Sequence, residues 1–152
     1  MSGYSGTPLA HKLGMRAGSR VFLHAAPANY AELVAPLPPG VRLLEKPGAD
    51  SDLLHAFATE RAALAKLLKS LRARMRADAA LWVSWPKKAS GVDTDITEDT
   101  IRSLALPLGL VDIKVCAVDE TWSGLKLVIR RDLRPAPARR ARTAARTGAR
   151  RA

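Results

Sequence analysis

Two hydrophobic periods alternate along this chain, and their boundaries predict its elements. Residues 80–88, A-L-W-V-S-W-P-K-K, form a short apolar run with β-branched Val83 and two tryptophans. Pro86 closes it, because proline cannot donate to a sheet ladder, so the run reads as a buried central strand. Residues 20–25 and 41–45 read as earlier strands, and 53–58 as a third, continuous in apolar residues apart from His55. From residue 59 the period changes. Leu64, Leu67, Leu68, Leu71 and Met75 recur at helical spacing behind Thr59 as N-cap.

The remaining pattern fills in around these elements. Leu9, Leu13 and Met15 make a short apolar arm interrupted at Gly14, and a short helix over 29–35 is stopped by Pro36, Pro38, Pro39 and Gly40. Asp95 followed by Glu98 resembles a capping box that starts a further helix, Glu98 and Asp99 suit its positive end, and Pro107 and Gly109 close it. The last segments, V-D-I-K-V-C-A-V-D and L-K-L-V-I-R, alternate with period two around a short Gly-containing link. They predict an antiparallel hairpin with Ile113, Val115, Ala117, Leu125, Leu127 and Ile129 toward the core. Cys116 falls on the opposite phase as a packing residue. Strands alternating with helices and ending in a hairpin define an α/β class.

Charge divides the chain in two. Of the 25 Lys and Arg behind the net charge of +11, seven arginines lie in residues 133–152 with no acid, which leaves 18 bases against 14 acids in residues 1–132. The terminal stretch has no large apolar residue after Leu133, so burial cannot offset its ordering entropy. It is expected to be a disordered Arg/Ala/Pro tail, a candidate partner for nucleic-acid phosphates. Residues 1–132 are expected to be one folded domain. A single cysteine excludes an internal disulfide, no run approaches the ~18 apolar residues of a membrane span, and the first residues lack the pattern of a signal peptide. A cytoplasmic protein with no membrane partner is the expectation.

Candidate chemistry sits where the strands end. In open α/β sheets ligands bind beyond the carboxyl ends of the strands, and nucleotide or S-adenosylmethionine sites use glycines after the first strand. Here that turn is H-A-A-P-A-N-Y, with His24 and Asn29 as its polar groups, which weighs against a cofactor and leaves any cofactor unknown. Lys87 and Lys88 lie past the central strand, and the hairpin link D-E-T-W-S-G holds Asp119, Trp122 and Ser123. With Asp95 and Lys126 they form a candidate ligand-binding edge, the lysines for an anionic group and Trp122 for stacking. This grouping requires the central strand and the hairpin turn to end on one side. Asp93 and Asp95 have no His or second acidic cluster beside them for metal work, so no metal is assigned. Arg61, Lys66, Lys69, Arg72, Arg74 and Arg76 are read as the solvated face of the long helix.

The order of elements resembles the later part of a class I methyltransferase-like Rossmann fold, whose last two strands form such a hairpin. At residue level K-L-G at 12–14, P-K at 86–87, D-I at 95–96 and W-S-G-L-K-L-V at 122–128 together resemble the bacterial domain-of-unknown-function 3052 family. That resemblance implies a boundary near residues 7–130 and no particular chemistry. The expected function is a non-catalytic binding or regulatory domain for an anionic small molecule or partner. The alternatives are a divergent methyltransferase-like or nucleotide-using enzyme, with Asp119 or Asp95 as base and Lys87 orienting phosphate or carboxylate, and a nucleic-acid-associated protein.

Overall fold

The computed structural model describes residues 7–46 and 50–135. Six strands form one sheet in the order β2-β1-β3-β4-β6-β5. β1 (Arg20–His24), β2 (Arg42–Leu44), β3 (Leu53–Phe57) and β4 (Ala80–Pro86) run parallel. β5 (Leu110–Ala117) and β6 (Trp122–Ile129) form the antiparallel hairpin, with β6 paired to β4. The α/β expectation and the four strands before the hairpin hold, within a residue or two at their ends.

β4 is central because it is buried on both faces. Leu81, Val83 and Trp85 join Leu64, Leu68 and Leu71 of α3 (Arg61–Arg74) and Ile101 of α4 (Glu98–Ala105) in one core cluster. Trp82 points the other way, into a second cluster with Leu13 of α1 (Leu9–Leu13) and Tyr30 of α2 (Tyr30–Leu33). Its indole Nε1 donates to the Leu13 carbonyl at 2.9 Å, which ties α1 beneath the sheet. The apolar arm of the sequence is therefore a helix, and Gly14, at φ 94°, ends it with the left-handed turn that glycine adopts most easily.

Three expectations are corrected by long-range geometry. The N-cap of α3 is Glu60, and the Thr59 carbonyl instead accepts from Thr94 Oγ1 at 2.7 Å. Asp95 does not start α4. Thr97 caps that helix through a reciprocal bond pair with Thr100, while Asp95 Oδ1 accepts the first amide of α3, Arg61 N, at 2.7 Å. In the hairpin Leu125, Leu127 and Ile129 are buried as expected, but Ile113 and Val115 are exposed. Ile113 is the extra residue of a β-bulge between Asp112 and Lys114, whereas Val115 pairs with buried Leu125 and keeps its phase, its exposure being that of an edge strand.

The basic face of α3 is also smaller than its sequence suggests. Arg72 Nε donates to the Leu108 carbonyl at 2.8 Å, and Arg76, beyond the helix end, bonds Asp52 and Asp78. Leu133 ends a 3-10 turn, and Arg134 Nε returns to the Ile129 carbonyl at 2.8 Å. Residues 136–152, most of the predicted tail, lie outside the described residues. Among the described residues no helix is long and apolar enough to cross a membrane.

Candidate functional site

The carboxyl ends of β1, β3 and β4 and the β5–β6 turn meet at one end of the sheet. Pro86 pairs with Trp122 and Trp85 with Ser123, and the Lys87 amide donates to the Thr121 carbonyl at 2.7 Å. Lys87, Lys88, Asp119, Trp122 and Ser123 therefore share this end. Lys126 does not: it pairs with Trp82, about 13 Å further along β6, and lines a concavity at the opposite end of the sheet.

Several of these side chains already have structural work. Asp119 Oδ1 accepts the amides of Thr121 and Trp122, each at 2.8 Å, and so shapes the hairpin turn. Asp95 holds the start of α3. The half-buried Trp122 ring meets Phe57 edge-on, with centroids 5.0 Å apart and planes at 87°. Neither carboxylate is aimed as a base, and part of the indole is taken by packing against Phe57. Lys87 and Lys88 enter none of the ion pairs found among the described residues.

β1 connects outward to β2 and the chain then returns to β3, so the switch point lies between β1 and β3. A crevice of about 190 Å³ opens there, lined by His24, Phe57, Thr59, Glu60 and Leu64. The turn leaving β1 carries Ala25 at φ 56°, a left-handed conformation that glycine adopts freely and alanine only at a cost of roughly 1–2 kcal/mol. It thus keeps a glycine-like bend but adds methyl groups and the Pro27 ring where a ligand would approach backbone. Typical cofactor pockets begin near about 300 Å³. The switch-point crevice is smaller than that.

On the other side of the same turn, a concavity of about 270 Å³ is lined by Leu23, Ala26, Pro27, Leu43 and Glu45. Glu45 follows β2 directly, some twenty residues after the β1 turn, the place where dinucleotide folds carry a ribose-binding acid. In the sequence Glu45 reads as a strand end, and its spacing from the β1 turn is the signal that marks it. Sequence reasoning also missed a buried polar chain. Tyr30 hydroxyl, His55 and Ser84 Oγ follow one another across α2, β3 and β4, 2.9 Å and 2.7 Å apart, all fully or almost fully buried. Burial holds the His55 imidazole neutral, pushing its pKa down to about 3, and raises that of the Tyr30 phenol well above its ordinary range. Without solvent access, the chain fixes α2 to the sheet and presents no nucleophile. Among the described residues no three His, Cys, Asp or Glu side chains are grouped to hold a metal ion.

No family model matches the chain, and no curated protein does. Solved structures do match it in shape. A SAM-dependent methyltransferase from Aquifex aeolicus superposes with a TM-score of 0.60 at 11% identity, over 80% of this chain and 88% of that one. A putative type 11 methyltransferase from Sulfolobus solfataricus gives 0.53 at 10% identity, over 74% and 85%. Magnesium protoporphyrin IX methyltransferase from Synechocystis, with bound SAH, gives 0.52 at 11% identity, over 80% and 78%. At these identities the likeness is one of fold, and the chain has a methyltransferase-like Rossmann fold.

Proposed function

We propose that the chain is a non-catalytic binding or regulatory domain on a methyltransferase-like sheet, which holds an anionic group of its ligand or partner at Lys87 and Lys88. The observation that carries this reading is the β1 exit: Ala25, Ala26 and Pro27 stand where a cofactor needs bare backbone, beside a crevice of about 190 Å³. Asp95 and Asp119 are engaged by backbone amides rather than poised for proton transfer. Lys87 and Lys88 supply charge at the end of the sheet where such folds receive ligands, with Ser123 and the free part of Trp122 beside them.

One observation favours a second reading. Glu45 beside the β1–β2 concavity is placed as a ribose-binding acid would be. On that reading the chain is a divergent methyltransferase-like protein that retains a nucleoside, and the fold likeness supports it.

Thermal unfolding of the whole chain with S-adenosylmethionine, S-adenosylhomocysteine and common nucleotides separates the two. A ligand at 100 times its Kd adds about 2.7 kcal/mol of stability. The binding-domain reading expects an upward shift with anionic nucleotides that Lys87→Ala with Lys88→Ala removes. A shift with S-adenosylhomocysteine that is lost in Glu45→Ala would replace it with the methyltransferase-like reading.

A further inference from the structure

A second concavity lies at the end of the sheet away from the carboxyl ends of its parallel strands. About 440 Å³ in volume, it opens at the amino ends of β3 and β4, where Gly14, Arg16, Asp52, Arg76, Asp78 and Lys126 line it. Its two walls differ in charge. On one, Arg76 bonds both Asp52 and Asp78, a single guanidinium against two carboxylates. On the other, Arg16 and Lys126 enter no ion pair found among the described residues.

That second wall is built from distant parts of the chain. A Cβ placed on Gly14 would stand 3.9 Å from Lys126 Nζ, so the ammonium lies over the glycine that ends α1. Lys114, on the neighbouring strand β5, donates to the Lys12 carbonyl at 3.3 Å and adds its charge to the same corner. Burial lowers the Lys126 pKa, and the charges of Lys114 and Arg16 lower it further. Three positive groups that share one corner and enter no ion pair among the described residues repel one another, and a multiply charged anion relieves that repulsion.

We propose that this pocket at the amino end of the sheet binds a small phosphorylated molecule, whose phosphate is held by Arg16 and Lys126 with Lys114 behind them. A phosphate suits the corner because it carries up to two negative charges and several acceptor oxygens, and Arg16 offers the planar fork of donors that matches them. The volume suits a small molecule. The site lies across the sheet from Lys87 and does not depend on the carboxyl-end reading.

Calorimetric titration of the full chain with inorganic pyrophosphate tests it, using Arg16→Ala, Lys126→Met and Lys87→Ala. The arginines of residues 133–152 contribute a background that the variants subtract. Affinity is expected to fall about tenfold or more in Arg16→Ala and in Lys126→Met, the effect of losing one charged hydrogen bond, and to be unchanged in Lys87→Ala. Without anion, Lys126→Met should melt no lower than the parent, because it removes a repelled charge. The proposal is overturned if the heats are the same in the Arg16 and Lys126 variants as in the parent, if Lys87→Ala abolishes them, or if Lys126→Met is destabilised as a structural lysine would be. A single-stranded RNA oligonucleotide that requires Arg16 and Lys126 where pyrophosphate does not bind would overturn it in favour of a nucleic-acid surface.

Discussion

His55 Nε2 stands 2.7 Å from Ser84 Oγ on the adjacent strand, and the other ring nitrogen reaches the Tyr30 hydroxyl. A neutral imidazole satisfies both hydroxyls, donating through one nitrogen and accepting through the other. Protonation would place a charge in a site with no facing carboxylate, which is why burial pushes the pKa down to about 3. The unfolded chain binds this proton near pH 6.5, so between about 6.5 and 3 it holds more protons than the folded one. Stability from His55 is complete above about pH 6.5 and falls with decreasing pH, at up to about 1.4 kcal/mol per unit. Urea unfolding between pH 7.5 and 5, above the main carboxylate range, should show the decline. A flat profile there would contradict a neutral buried His55.

Gly124 faces Ser84 across the β4–β6 pair, and an added Cβ would lie 3.1 Å from Trp82 Cε3 and 3.4 Å from Ser84 Oγ. Trp82 is fully buried and anchored to Leu13, so it has little room to retreat. Gly124→Ala is expected to cost about 1–3 kcal/mol by overpacking. The denaturant midpoint measures it; an unchanged midpoint would show that the indole does shift.

Asp95→Ala should destabilise the protein by about 1 kcal/mol through the start of α3, and Thr97→Ala by a similar amount through α4. Amide exchange distinguishes the two. The early amides of α3, Arg61 first, should lose protection in the Asp95 variant, while those of α4 keep theirs. The reverse pattern would restore Asp95 as the cap of α4.

Trp122 has a packing role that any binding experiment has to separate from a ligand role. Trp122→Ala removes the edge-on contact with Phe57 and should lower stability by about 1–3 kcal/mol, whereas Trp122→Phe should retain most of it. If Trp122→Ala melts with the parent, the ring is not part of the core and its surface is free for a ligand.

What was legible in the sequence was what depends on near neighbours. The β1, β3 and β4 runs, the helical period of α3 and the buried phase of β6 all follow from local spacing, and each is present. What depends on register was not. Ile113 and Val115 alternate correctly in sequence, but Ile113 falls in the bulge at Asp112/Lys114, and Val115, in phase with Leu125, lies exposed on the edge strand. Lys126 sits close to Trp122 in sequence, yet an extended strand carries it about 13 Å away, to the other end of the sheet. His55 read as an interruption in an apolar strand because its two partners lie 25 and 29 residues away. Carboxylates were the least legible group: Asp95 and Asp119 offer the same chemistry to a catalytic site and to a backbone amide, and only tertiary contacts distinguish the uses.

The two margins of the sheet bear on how the molecule meets others of its kind. β2 is three residues long, and β5 carries its irregularity in mid-strand, with Lys114 between the exposed Ile113 and Val115. A strand approaching β2 would find few rungs, and one approaching β5 would lose step at the bulge and meet an ammonium group between two apolar contacts. Neither border is a good template for a stranger's backbone, so a sheet with apolar side chains at its rim can still end where its own chain ends.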